Sequence, residues 1–260
     1  MHPAERAEWD TLHALGSVRG ISVLEVAGAA CMLIRELPDN PMVNHTVGVG
    51  EDEPAGDEML DIIADFYGDA RYYIALTPRS LPTDIRARLA ARGFTRGYAW
   101  MKFTRDSAEV PAVETELDVR EVGREAGADF ADVIVAGYGL PSAVVGTLAR
   151  VPGAPGCHAY VAYDGDEPAA AGAVFANGDV AWVGLAATRP EHRRKGGQRA
   201  ILAARLARAQ ELGVETVVTE TGVAREGRPS NSYRNIVRSG FAPAYVRENY
   251  LSPARATAAS

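Results

Sequence analysis

Cysteine is scarce: Cys31 and Cys157 are the only two in 260 residues. Two cannot build a disulfide framework, and they match no metal-ligand spacing. The expected compartment is therefore a reducing cytoplasm, with no bound metal. The five histidines show no H-E-x-x-H spacing either. Long apolar runs are missing, none approaching the ~18 to 20 residues of a membrane span, so no membrane partner is expected. The opening MHPAERAEWDTLHALG has charges throughout and no apolar signal core, which argues against export and leaves the Asn44-His45-Thr46 glycosylation pattern idle. Neither G-x-x-x-x-G-K-[ST] nor G-x-G-x-x-G occurs. An extended basic surface is also lacking, since the net charge is −7, and nucleic acid is not an expected partner.

What is present is 47% hydrophobic and 23% charged, the balance of a globular chain long enough for a sizeable core. The acidity is uneven. Residues 1–115 hold 18 acids against 11 bases, residues 116–260 hold 16 of each, and Glu51 to Asp69 alone carries eight acids and no base. That run is either a solvated face or a field that attracts a cationic substrate.

The second half alternates strand and helix signals. LDVREV reads as a strand and 126–138 as a helix. The stretch 158–187 reads as an antiparallel meander split at Asp164-Gly165 and Asn177-Gly178, the dipeptides that favour tight hairpins. An amphipathic helix is expected over 197–212, a β-branched strand over Val214 to Glu220, a helix over 232–239 and a last strand over 245–251. The first half echoes this order with NHTVGVG, GDEMLDIIADFYG, RYYIALT and LPTDIRARLAARGF. Both halves end a helix in Gly-Phe with a tyrosine four residues later, Tyr98 and Tyr245, at an offset of 147, which suggests an internal duplication. Thr104 to Val119 reads as a linker. The expected division is 1–112, 113–253 and a disordered tail over 254–260.

The densest chemical signal is RPEHRRKGGQRAIL, Arg189 to Leu202. A strand runs into a turn, glycines thin the side-chain cover, and a helix begins. The first turn of a helix leaves backbone N–H groups unpartnered under a positive dipole end, so it is an anion site before any side chain is counted. Gly196 and Gly197 let a phosphate approach, and Arg193, Arg194, Lys195 and Arg199 add charge where basic residues otherwise disfavour a helix start.

TRPEHRRKGGQRAILAARLARAQELG resembles the acetyl-CoA signature of GNAT-type N-acyltransferases, with Arg193 and Gly196 at its first two fixed positions and Gln198 where a small residue is usual. NSYRNIVRSGF, Asn231 to Phe241, resembles the family's second element. The resemblance spans about residues 116–251. It implies the α/β GNAT fold, a mixed central sheet flanked by helices, here in two tandem copies with a degenerate N-terminal one. It implies acetyl-CoA as cofactor, with the pyrophosphate on the N–H groups of Arg194 to Arg199 and the pantetheine arm along the strand ending at Ala187-Thr188. A backbone N–H near Thr188 would polarise the thioester carbonyl, and Asn235 and Arg238 would reach the pantetheine arm or 3′-phosphate. The first half has EDEPAGDE where a phosphate loop would stand, so loss of cofactor binding is expected there.

The implied reaction is acyl transfer to the amine of a small molecule, by a monomer or homodimer. The amine must be neutral to attack, and a lysine-like ammonium is only about one part in 10³ neutral at pH 7, so a base is useful. Glu220 is the first candidate base, or else a plain strand-end carboxylate. Where many members carry a helix tyrosine as acid this chain has Ile236, so Ser232 and Tyr245 become candidates, Ser232 being equally readable as a helix cap. Tyr138 in GYGLP reads as lining the acceptor groove or, as such glycine-rich ends more often do, as packing a helix stop. A non-catalytic acyl-CoA-binding protein, another acyl group, or a protein or hydroxyl acceptor are the alternatives.

Overall fold

The computed structural model describes residues 1–107, 109–223 and 230–254; the tail expectation for 255–260 lies outside them. The chain runs α1 Pro3–Leu15, β1 Ile21–Val26, β2 Ala29–Ile34, β3 His45–Val47, α2 Asp57–Tyr67, β4 Tyr73–Leu76, α3 Ile85–Ala91, β5 Thr95–Arg96 and β6 Trp100–Asp106. It continues with β7 Asp118–Val122, α4 Gly127–Tyr138, α5 Val145–Leu148, β8 Cys157–Asp164, β9 Glu167–Asn177, β10 Val180–Thr188, α6 Gly197–Glu211, β11 Thr216–Gly222, α7 Asn231–Arg238 and β12 Ala242–Leu251.

The expected meander is β8-β9-β10, turned at Gly165 and Gly178, whose positive φ angles of 64° and 59° the Asp-Gly and Asn-Gly dipeptides permit. The helix signals match α2, α3, α4, α6 and α7. Several elements went unread in the sequence, chief among them α1 and the β1-β2 hairpin, which turns at Ala27 and Gly28, both at positive φ. The Gly-Phe echo is structural. Gly93 and Gly240 adopt φ of 83° and 84°, and the N–H groups of Phe94 and Phe241 bond back to Leu89 and Ile236 carbonyls, the same left-handed helix stop in each half.

The strands form one mixed sheet in the order β1-β2-β3-β4-β12-β6-β11-β10-β9-β8-β7, with β5 also on β12. The halves interleave. β6, from the first half, lies between β11 and β12 of the second. The C-terminal end of β12 in turn lies between β4 and β5 of the first. Thr104 to Asp106, read above as the start of the linker, belongs to β6 and pairs with Val218 to Thr216. Residues 112 and 113 thus divide the chain but not the sheet.

Each face carries its own core. Phe130, Val133 and Ile134 of α4 meet Leu12 and Leu15 of α1 over β2, β8 and β9 on one side, and Ile201, Leu202 and Leu206 of α6 meet Phe103 and Val217 on the other. A third cluster joins α2 and α3 to β2 and β4. Each fully buried Phe or Leu contributes roughly 2–3 kcal/mol of burial. No described helix is long and apolar enough to cross a membrane.

Candidate active site

Strand β10 pairs with β11 only from Val180 to Trp182, against Thr216 to Val218. Beyond Trp182 the two strands part. The pairing of β10 with β9 slips between Gly184 and Ala187, and Leu185 sits at φ 45°, a β-bulge that re-aims the backbone. A cavity of about 440 Å³ opens at this split. Its wall includes Gly184, Leu185 and Ala186 of the bulge, Gln198 and Arg205 of α6, Glu220 of β11, and Ser232 and Asn235 of α7. The irregular backbone therefore lies at Leu185-Ala186. Ala187 and Thr188, expected to end the strand beside the pantetheine arm and to supply the N–H that polarises the thioester, resume pairing with Ala171 and Ala170 and are outside the cavity wall.

The basic loop leaves the start of α6 uncapped. α6 begins at Gly197 after Gly196 at φ 82°, and no side chain caps it. Nothing lies within 3.4 Å of where a Gly196 Cβ would stand, so the backbone angle, not crowding, calls for glycine there. Gly197 is packed tightly against Ala170 and Leu117. Arg193, Arg194 and Arg199 are exposed. Lys195 is instead bound to Asp164, whose carboxylate also meets His192 Nδ1 at 3.0 Å. Those bonds, Lys195 first, hold the Asp164 carboxyl below its usual range. They also tie the loop to the β8-β9 turn.

Gln198, odd in the motif, has a structural use. Its Nε2 donates to Ser232 Oγ at 3.3 Å and its Oε1 accepts from Asn235 Nδ2 at 2.8 Å, joining the first turn of α6 to α7. The cap of α7 is Ser230, whose side chain accepts from Tyr233 N, so Ser232 is not the cap and its hydroxyl faces the cavity wall. Arg238 is exposed at the last turn of α7 and lies outside that wall.

The remaining candidates divide. Tyr138 lines the cavity and its hydroxyl donates to the Ala186 carbonyl at 2.9 Å. Neighbouring Gly137 lets α4 approach Ala187 more closely than a Cβ would allow. Tyr245 is elsewhere: its hydroxyl donates to Glu5 at 2.6 Å and its ring meets His2 edge-on, outside the cavity wall. Burial and the Glu5 carboxylate raise the Tyr245 hydroxyl far above its ordinary value, a poor proton donor. Burial likewise pushes both thiols, Cys31 and Cys157, up to about 12, which leaves them inert.

Glu220 lines the cavity with 11% of its side chain exposed, and one oxygen, Oε2, accepts from Lys102 Nζ. Lys102 is fully buried and also donates to Glu8 Oε2 at 2.7 Å. Arg247, equally buried, bonds both oxygens of Glu8, and His45 Nε2 meets Glu8 Oε1 at 3.0 Å. Burial alone would raise the Glu8 carboxyl, but Arg247 and Lys102 hold it well below the usual range. Burial would lower Lys102, but Glu220 and Glu8 keep it raised. This cluster went unread because its members come from α1, β6, β11 and β12. Arg205, buried in α6, donates to the Ile201, Ala173 and Gly184 carbonyls, and burial pushes it down to about 9.

Residues 143–230 match the family model of the acetyltransferase (GNAT) family. Solved structures agree over nearly the whole chain. A GCN5-related N-acetyltransferase from Kribbella flavida is 18% identical, with a TM-score of 0.66 over 97% of this chain and 96% of that one. One from Sphaerobacter thermophilus is 13% identical, TM-score 0.62, covering 98% and 93%. A tandem GNAT protein from the clavulanic acid biosynthesis pathway is 17% identical, TM-score 0.59, covering 90% and 83%. Among curated proteins nothing matches. The fold is the GNAT fold, and within it residues 143–230 are similar to the acetyltransferase (GNAT) family.

Proposed function

We propose that the protein is an N-acetyltransferase that moves an acetyl group from acetyl-CoA to the amine of a small molecule. The observation that carries this reading is the single cavity running from the first turn of α6, through the gap between β10 and β11, to Glu220. The residues fit the cofactor. The uncapped N–H groups at Gly197 and Gln198, with Arg193, Arg194 and Arg199 around them, suit a pyrophosphate. The open edge of β10 suits an extended amide-bearing arm, and Asn235 stands beside it. Bound acetyl-CoA supplies the activated acyl group. Backbone N–H groups left out of the ladder at the Leu185-Ala186 bulge would stabilise negative charge on a carbonyl oxygen there.

Glu220 takes the proton from the ammonium of the acceptor, and Lys102 holds its carboxylate in place. Ser232, held by Gln198 on the α7 side of the cavity, would pass to the leaving thiolate the proton that the amine gives up as the new amide forms. The cavity also orients the two reactants, which contributes to the rate in its own right. Glu220→Gln is expected to lower kcat/KM by about 100-fold, most severely on the acid side, where the acceptor is protonated. Acetyl-CoA affinity should be unchanged by titration calorimetry. A variant with the parental pH profile removes Glu220 from the reaction, and a parent that binds no acetyl-CoA overturns the reading altogether.

A further inference from the structure

The cavity does not end at Glu220. It continues into the first half of the chain as a bay walled by Leu12 and Leu15 of α1, Met32 and Ile34 of β2, and Leu37 and Met42 of the following loop. Several polar groups along the bay are occupied by neighbours, while Trp182 Nε1 keeps no partner. The Thr11 hydroxyl donates to the Ala7 carbonyl, Asn249 Nδ2 to the Tyr98 carbonyl, and His45 faces Glu8. A guest rich in hydroxyls would find few partners there, and each unmatched polar group would be costly to bury.

The charges point the same way. Within the buried cluster, Glu5, Glu8 and Glu220 stand against Lys102 and Arg247, three carboxylates to two cations, with His45 beside them; Arg205, in the same cavity wall, bonds backbone carbonyls instead. Lys102 and Arg247 already bond carboxylates, Arg247 Nε being the guanidinium nitrogen left without a partner. Among the described residues, Glu220 Oε1 accepts no hydrogen bond. One further positive charge at that oxygen would complete the set, with apolar surface directly behind it.

Building on the acyltransferase reading, we infer that the acceptor is a primary amine on an uncharged, apolar body, its nitrogen at Glu220 and its body in the bay of the N-terminal half. The first half is then the specificity element of the enzyme rather than a spent copy. An amino acid would bring a carboxylate into the bay, and a polyamine or aminoglycoside would bring several charges; neither suits those walls.

The test uses the full chain and two readouts. In acetyl-CoA turnover, phenethylamine and hexylamine should exceed phenylalanine, spermidine and kanamycin by about 100-fold in kcat/KM, the factor expected when a charge must be buried unpaired. In titration calorimetry without any cofactor, phenethylamine should bind and phenylalanine should not. Met42 is 42% exposed, so Met42→Gln should fold normally; it should weaken phenethylamine binding roughly five-fold through lost apolar contact and leave acetyl-CoA affinity unchanged. If acetyl-CoA binds but phenylalanine, spermidine or kanamycin is favoured, the inference falls while the acyltransferase reading stands. If phenethylamine binds but no acetyl-CoA does, the reverse holds. Failure of phenethylamine to bind, or indifference to Met42→Gln, also overturns the inference.

Discussion

Gly196→Glu is expected to abolish coenzyme A binding while leaving the protein folded. Two terms decide this. The backbone at Gly196 sits at φ 82°, and an L-residue there costs roughly 1–2 kcal/mol. The new side chain meets no atom closer than 3.7 Å to its Cβ, so no steric term is added. A carboxylate at the start of α6 also gains roughly 0.3–1 kcal/mol from the helix dipole. The net change in stability is therefore small. Binding is another matter, because the new carboxylate would occupy the place of the pyrophosphate. Two like charges about 4 Å apart repel by about 4 kcal/mol at the effective dielectric of a protein surface. The loss in affinity should thus reach at least about 100-fold, read by titration with acetyl-CoA beside a thermal melt. Gly196→Ala carries the backbone cost without the charge and should lose far less. Equal losses in both variants would trace the effect to loop geometry, and unchanged affinity in Gly196→Glu would remove the anion site.

That loop was legible in the sequence because everything it needs is local. A strand, two glycines, four basic residues and a helix follow one another within a few residues, and no distant partner is required. The β8-β9-β10 meander was legible for the same reason, its turns carrying Asp-Gly and Asn-Gly. The β1-β2 turn was not, since Ala27 takes a positive φ without the side chain that normally signals one. Distant pairing was hidden throughout. Nothing near Trp100 to Asp106 says that this strand crosses into the other half, or that β12 crosses back. Tyr245 was misplaced because closeness in sequence to Gly240-Phe241 does not reveal which face of β12 it takes, and the β6-β12 register slips between Pro243 and Tyr245. The Glu8-Lys102-Arg247 cluster left two traces. Lys102 and Lys195 are the only lysines among 27 basic residues, so a lysine inside the apolar run WMKF was a signal. On α1, Glu5 and Glu8 share the helical face of Leu12 and Leu15, and both acids are fully buried.

Lys102→Met is expected to destabilise the protein by about 3–5 kcal/mol, the usual cost of removing one partner from a buried ionic group. Without Lys102, the carboxylates of Glu5, Glu8 and Glu220 keep Arg247 as their main cation, and Glu5 and Glu8, fully buried, cannot be rehydrated where they sit. The pH dependence gives the effect a signature. The folded Glu8 carboxyl is depressed below its ordinary 4.5, so its contribution is present above that value and lost as the pH falls through the folded pKa. The folded Lys102 ammonium is raised above its ordinary 10.5, so its contribution is present below that value and lost as the pH climbs past the folded pKa. The parent should therefore keep the stability supplied by this pair nearly constant from about pH 5 to pH 10. The variant should not. Its surplus carboxylate takes up a proton more readily once the lysine is gone, so the gap between variant and parent should be widest near pH 8 and shrink towards pH 5. Denaturant unfolding at those two values measures it directly. Glu220 loses the group that orients it in the same change, so turnover should fall even at temperatures where the variant remains folded. Equal stability of variant and parent at pH 8 would mean that Glu8 and Glu220 tolerate each other without the lysine, and that Lys102 does not hold the candidate base in place.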